Sequence, residues 1–201
     1  MAAVPWIARL RHWREVQQVQ AQIHRQAIPA IPELHSVTPN EAVWRIPVPR
    51  QSDCFLALEK HNYPPPEEHV VFIDATRFYL AWLKGDQYIR TSPHGDSVMA
   101  RKDMHLDYKY ANVDRYMQGS KRILWLPEPH YLQLGGRHGR IRFTNGITRT
   151  LWLLSHNCQA FPARVSTHAE AVALHNVAGL QMICTAELFA LTLTTNKVDA
   201  Q

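Results

Sequence analysis

Where a short run ending at Phe143 gives way to an apolar stretch opening at Leu151, the chain carries Asn145, Gly146, Thr148 and Arg149. A glycine at a strand-to-helix turn lets backbone approach closely. The first N–H groups of the helix that follows point outward, with the positive end of its dipole behind them. With Arg149 in the first turn, Asn145, Gly146, Thr148 and Arg149 read as a site for an anion, either a nucleotide phosphate or a partner carboxylate. The same residues also fit a plainer role, in which Gly146 serves the turn and Arg149 pairs with a local acid or covers apolar surface with its stem. The turn holds no imidazole, thiol or carboxylate, so the strongest local nucleophile is the Thr148 hydroxyl, which needs activation from elsewhere. Asp74, ending the run HVVFID, is a second strand-end acid; it suits a helix N-cap, or Mg²⁺ beside a phosphate.

The remaining reactive side chains form no further motif. Twelve histidines include no HExxH or HxH pair, and His168 and His175 are too far apart for one helical i, i+4 pair of ligands, so no metal and no cofactor is expected. Cys54, Cys158 and Cys184 have no CxxC spacing and read as reduced thiols. At 201 residues, 46% hydrophobic and 19% charged, the chain is one globular domain or a domain with an appended arm, and disorder is excluded. No apolar run approaches the ~18 residues of a membrane span. Arg9, Arg11 and Arg14 interrupt the first apolar stretch as a secretory leader would not permit, so a cytoplasmic protein is expected.

Charge is concentrated in the middle. Residues 101–150 carry ten Lys and Arg against four Asp and Glu, while residues 1–100 carry ten of each. Arg137, Arg140 and Arg142 suggest a positive face for phosphates or an acidic protein surface, or a strand edge guarded by charge. Tyr108, Tyr110 and Tyr116, set in a polar region, are candidate anchors for a partner. No helix-turn-helix pair is evident, so nucleic acid is not an expected partner.

These residues need elements to position them. Residues 6–26 place Trp6, Leu10, Trp13, Val16, Val19 and Ile23 near one stripe of a helix, which packs on its own domain, pairs in a dimer, or docks in a partner groove. Each of those arrangements hides Trp6 and Trp13. Prolines from Pro29 to Pro39 read as a linker. Trp44, Ile46 and Val48 alternate as a strand that Pro47 and Pro49 push to an edge, and residues 54–58 supply another. HNYPPPEE is a rigid loop. HVVFI is a buried strand feeding a helix closed by Gly85; NVDRYMQGS is a short helix capped by Asn112; YLQL and RIRF make a hairpin across GGRHG. Arg140 to Val165 then read as a compact βαβ unit. Thr167 and Glu170 form a capping box for a helix ended by Gly179. ELFALTLTT alternates as a strand. Residues 1–66 thus form a helix, linker and edge strands, and residues 67–201 the core.

The run F-x-N-G-x-x-R-x-x-x-L followed by P-x-x-V, from Phe143 to Val165, resembles the signature of the ParB/sulfiredoxin-like fold. That likeness implies an α+β protein, a mixed sheet with packed helices and an N-terminal amphipathic helix. Members of that fold bind or turn over phosphate compounds at the turn matched here by Gly146 and Arg149. The wider order, FID-x-x-x-F-x-x-x-W at Phe72 to Trp82, ILWLP at Ile123 to Pro127, then NGITRTLWLL, is similar to the plasmid fertility inhibition factor family. This resemblance implies a bacterial protein that blocks transfer of a co-resident conjugative plasmid by binding the coupling-protein ATPase of the type IV secretion channel. Where catalytic relatives of the fold carry G-x-H-R or G-C-H-R, this chain has Gly146, Ile147, Thr148 and Arg149. The departure favours a binding protein, with nucleotide hydrolysis or DNA nicking as the alternative.

Overall fold

The computed structural model describes residues 6–60, 67–86, 89–90, 92–95, 97–118, 123–132 and 139–190. Arg137, the GGRHG turn up to residue 138, the prolines of HNYPPPEE and the stretch beyond residue 190 lie outside the described residues. The protein is α+β, its strands divided among three small sheets.

The central strand of one sheet is β4 (His69–Asp74), buried at every position as its continuous apolar run dictates. It pairs antiparallel with β8 (Ala160–Val165) and with β9 (Gly179–Cys184). Helix α2 (Ala75–Gly85) follows β4 without a loop. Asp74 makes this possible: one of its carboxylate oxygens accepts from the backbone N–H of Thr76 at 2.9 Å and of Arg77 at 3.0 Å. Two of the four N–H groups that a helix start leaves unbonded are thereby satisfied, the N-cap role. Phe78, Tyr79, Trp82 and Leu83 of α2 are fully buried. Helix α5 (His168–Ala178) packs on β4 and opens as expected, with Thr167 accepting from the Glu170 N–H.

A second sheet runs β1 (Glu33–Val37), β2 (Glu41–Ile46), β3 (Cys54–Glu59) and β5 (Leu124–Trp125), the last pair parallel and the others antiparallel. The third is the hairpin of β6 (Glu128–Leu132) and β7 (Arg140–Asn145), followed by α4 (Ile147–Ser155). A 3-10 turn (Arg101–Leu106) and α3 (Tyr110–Gln118) close over α4. One core joins everything: Trp44, Trp82, Trp152 and Phe161, from four different elements, are all fully buried. Burying each side chain of that size stabilises by about 1.5–3 kcal/mol.

The structure corrects several expectations. The Pro29–Pro39 stretch contains β1, whose side chains stay mostly exposed and so lack apolar periodicity. β2 is not an edge strand, because Ile46 ends its pairing with Cys54 and both prolines fall beyond it. β7 and β8 belong to different sheets, so Arg140 to Val165 is not a βαβ unit. Asn112 lies inside α3, which begins two residues earlier. Residues 185–190 are helical rather than extended, with Leu188 and Phe189 buried, since their spacing serves a turn of helix equally well. Helix α1 (Trp6–Arg25) forms, but its stripe divides: Val16 and Val19 face the core and Ile23 is half-buried, while Trp6 and Trp13 face solvent. Packing on its own domain therefore does not hide the two tryptophans.

Cys54 and Cys158 are buried free thiols; burial raises both, Cys158 to about 12, which keeps them unreactive at neutral pH. Asp74→Ala, which orphans two helix N–H groups, is expected to lower the unfolding free energy by about 1 kcal/mol and Tm by about 2–4 °C. Asp74→Asn, keeping an acceptor, should lose only a fraction of that in the same urea and thermal titrations.

Candidate functional site

The turn singled out by its residue types lies at the end of the hairpin. Register along β6 and β7 slips between Glu128, opposite Asn145, and Pro129, opposite Phe143, leaving Thr144 as the extra residue of a bulge. Gly146 follows in the left-handed region at φ +86°, as N-cap of α4 without a side-chain cap. A Cβ there would lie 2.7 Å from the Cα of Pro127, so conformation and space both call for glycine.

Arg149, one turn on, is directed inward. Its Nη1 donates to the Trp125 carbonyl and, at 3.4 Å, to that of Leu126, while Nη2 donates to Asn145 Oδ1 at 3.1 Å. Burial lowers the pKa of the guanidinium, and Glu128 nearby opposes that shift. Asn145, Gly146 and Arg149 are thus brought together around a strip of the protein's own backbone. Thr148 departs from them: its hydroxyl donates to Asp107 Oδ1 at 2.9 Å. Asp107 also pairs at 3.1 Å with Arg90, both side chains almost wholly buried, and Arg90 reaches the Gly95 carbonyl. Geometrically this is a set of internal clamps holding α4 to the loops beside it.

The hairpin also assembles a constellation the sequence does not reveal. His130 on β6 bonds through Nε2 to the Thr144 hydroxyl, and its Nδ1 lies 3.2 Å from Glu170 Oε1 on α5. The second Glu170 oxygen accepts from Thr167 Oγ1 at 3.2 Å. A hydroxyl, an imidazole and a carboxylate in line, partly open to solvent, can relay a proton. The expectation that no imidazole or carboxylate stands near the turn is therefore corrected: β6 supplies His130, and Glu128 is close enough to act on Arg149. His130 and Glu170 are separated by 40 residues on different elements, so no local spacing could signal them.

The remaining candidates are scattered. Tyr108 is exposed, its ring 4.5 Å from that of His94. Tyr110 is buried, with its hydroxyl 2.6 Å from Ser155 Oγ. Tyr116 is partly exposed on α3. Arg140 is half-buried, and Arg142 donates to Asp86 Oδ1 at 3.1 Å. Asp86 is itself committed, accepting from the Val98 N–H at 2.7 Å. Arg101 stacks over the Tyr79 ring and bonds Asn157. Arg101, Arg142 and Arg149 are thus turned to internal contacts, while Lys102, Lys109 and Arg115 stay exposed.

Comparison with known proteins gives three concordant results. The family model described as plasmid fertility inhibition factor matches residues 70–179. The chain is 29% identical over 178 residues to the protein osa of Shigella flexneri, covering 86% of this chain and 88% of that one. It is also similar to the crystal structure, as a gold(I) cyanide derivative, of an oncogenic suppression activity protein described as a plasmid fertility inhibition factor. There the TM-score is 0.79 at 25% identity, over 95% of this chain and 99% of the other.

Arg149→Ala leaves the Trp125 and Leu126 carbonyls and the Asn145 amide without this donor, and is expected to destabilise the fold by about 3 kcal/mol in urea titration. Arg149→Lys should recover little of this, because an ammonium lacks the planar fork that spans both groups. Gly146→Ala should cost more than about 2 kcal/mol, from the left-handed φ and the contact with Pro127.

Proposed function

The chain belongs to the plasmid fertility inhibition factor family, and from that premise we propose that it blocks conjugative transfer of a co-resident plasmid by binding the coupling-protein ATPase of the type IV secretion channel. The observation that carries this reading is the state of the Gly146–Arg149 turn. Where a phosphate-handling site needs donors aimed outward, Arg149 gives its hydrogen bonds to Trp125, Leu126 and Asn145. A turn closed on its own chain supports a scaffold whose surface, rather than a pocket chemistry, meets the partner. Among the described residues no helix is long and apolar enough to cross a membrane, so the protein would reach such a machine from its water-facing side.

A second reading rests on one specific observation, the line of Thr144, His130 and Glu170. In this reading His130 takes a proton from the Thr144 hydroxyl or from a water, Glu170 orients the imidazole, and the freed oxygen attacks the phosphorus of a nucleotide or DNA phosphate, whose leaving oxygen accepts the proton from His130 as its bond to phosphorus breaks. Calorimetric titration with ATP and CTP in the presence of Mg²⁺, with phosphate release compared between wild type and His130→Ala, separates the two. Absence of heat and turnover is the outcome under the first reading; turnover that His130→Ala abolishes would replace it with the second.

Under the first reading, donors expressing the protein should transfer a conjugative plasmid at a frequency orders of magnitude below that of control donors. Arg140→Glu should weaken inhibition severalfold through lost electrostatic steering. Arg140 is the better probe of the hairpin, since Arg142→Glu would also place two carboxylates together at Asp86. Undiminished transfer of plasmids of several transfer systems would overturn the assignment.

A further inference from the structure

Helix α1 has two apolar faces, and only one is covered. Its inner face is tied down along the chain: His12 Nε2 donates to the Leu83 carbonyl at 2.7 Å, Glu15 accepts from the Tyr79 hydroxyl at 2.7 Å and from the Arg101 N–H at 3.1 Å, and Val19 is buried. On the outer face Trp6 is 72% exposed, Ile7 48%, Leu10 37% and Trp13 58%. Trp6, Leu10 and Trp13 stand at i, i+4 and i+7. At about 100° per residue they fall within about 60° of arc, nearly opposite the docked side. Two large aromatics so exposed on a rigidly held helix are not the isolated surface apolar residue that needs no explanation.

The charges that α1 itself sets beside this stripe have one sign. By the same helical geometry Arg9 flanks it on one side, and Arg14 and Arg11 flank it on the other, all three exposed. Glu15 is the first acidic residue of the chain, and its carboxylate is taken by Tyr79 and Arg101 on the inner side. The outer face is thus an apolar ridge of Trp6, Leu10 and Trp13 between arginines, with Ile7 beyond Arg14 and no carboxylate of the helix itself beside it; Asp103 of the 3-10 turn lines a cavity that Arg11 and Arg14 border.

We propose that the outer face of α1 is the docking element of this inhibitor, seated in an apolar groove with an acidic rim on the cytoplasmic ATPase it blocks. The inference rests on the inhibitory reading above and names the surface that executes it. The i, i+4, i+7 spacing is that of helix-in-groove recognition, and Trp and Arg are the side chains that dominate interface energetics. A helix that lies on a lipid surface presents a broad, continuous apolar face; here Arg14 falls between Ile7 and the stripe of Trp6, Leu10 and Trp13, and Arg9 borders its other edge, which fits a groove with a polar rim better. Charge complementarity sets the rim of the groove as acidic, which also hastens encounter. Since α1 is already folded against α2, docking does not bear the cost of ordering a free peptide.

The test uses the full-length protein and three forms: wild type, Trp6→Ser with Trp13→Ser, and Arg9→Glu with Arg14→Glu. All four changes fall on exposed side chains, so circular dichroism melts should coincide. The expected result is that wild type suppresses conjugation while the tryptophan variant, expressed at equal level, does not. Binding to the purified ATPase domain of the target's coupling protein should weaken by roughly 30-fold or more. The arginine variant should bind more slowly, with a shallower salt dependence. Retained suppression and binding by a folded tryptophan variant would overturn the docking face and leave the inhibitory reading intact. A wild type that suppresses nothing would overturn both. Binding of wild type to phosphatidylglycerol vesicles with a tryptophan blue shift, lost in the variant, would replace the protein groove by a lipid surface. A dimer in sedimentation equilibrium that the tryptophan variant abolishes would replace it by a second copy of this chain.

Discussion

Residues 124–128 form a strip of chain that all three sheets share, and the guanidinium of Arg149 holds it in place. Leu124 and Trp125 pair with β3, and the Leu126 N–H donates to the Ala57 carbonyl at 2.8 Å. One residue on, the Pro127 carbonyl accepts from the Arg164 N–H of β8 at 2.9 Å, and Glu128 opens the hairpin opposite Asn145. The strip changes neighbours at almost every residue, so no regular ladder can satisfy all its carbonyls. Arg149 reaches those of Trp125 and Leu126 from the side, and Gly146 leaves room for Pro127 to lie against the turn. Without these contacts, polar groups in a partly buried junction would lack protein partners, the buried ones each at a cost of about 1–3 kcal/mol.

The same junction explains which parts of the molecule were legible in the sequence. Elements specified by local signals read correctly: the continuous apolar run of β4, the Asp74 cap, the hairpin, and the Thr167 cap of α5, where the Glu170 carboxylate meets the Thr167 hydroxyl and His130 instead of closing a capping box. Elements specified by what they meet did not. β1 is exposed and has no pattern of its own; β9 is defined by its pairing with β4; β7 and β8 look like one unit until their different partners are known. At the G-x-x-R turn the residue types were right and the direction was not legible. An arginine in the first turn of a helix serves a bound anion or the protein's own carbonyls equally well, and here the carbonyls come from more than 20 residues upstream. The pairing of His130 with Glu170 was invisible for the same reason.

Net charge was similarly misleading about surface. The basic excess of residues 101–150 suggests a positive face, yet Arg101, Arg142 and Arg149 each have intramolecular partners. Arg90, from the charge-balanced half, is buried against Asp107. A count of lysines and arginines therefore overstates the positive field a partner meets near the hairpin. Residues 1–100 carry no net charge, yet they present Arg9, Arg11 and Arg14 together in solvent. Surface electrostatics depend on where opposite charges are held, and α1 offers a cluster of exposed positive charge that the count over residues 1–100 hides.

Glu15 links that redistribution to the architecture. Its carboxylate ties α1 to Tyr79 on α2 and to the backbone of Arg101, and in doing so it withdraws the first negative charge of the chain from the helix's outer side. One residue thus both anchors the helix and leaves the helix's own exposed charges of one sign. A 20-residue helix with so many arginines and two tryptophans would be marginal alone, because nucleation is unfavourable and most helical stability comes from packing. Docked through His12, Glu15, Val16 and Val19, it can keep Trp6 and Trp13 in solvent in a fixed orientation. The apolar exposure is tolerable because the opposite face supplies the stability, which is the condition under which a folded protein can keep a binding ridge ready before its partner arrives.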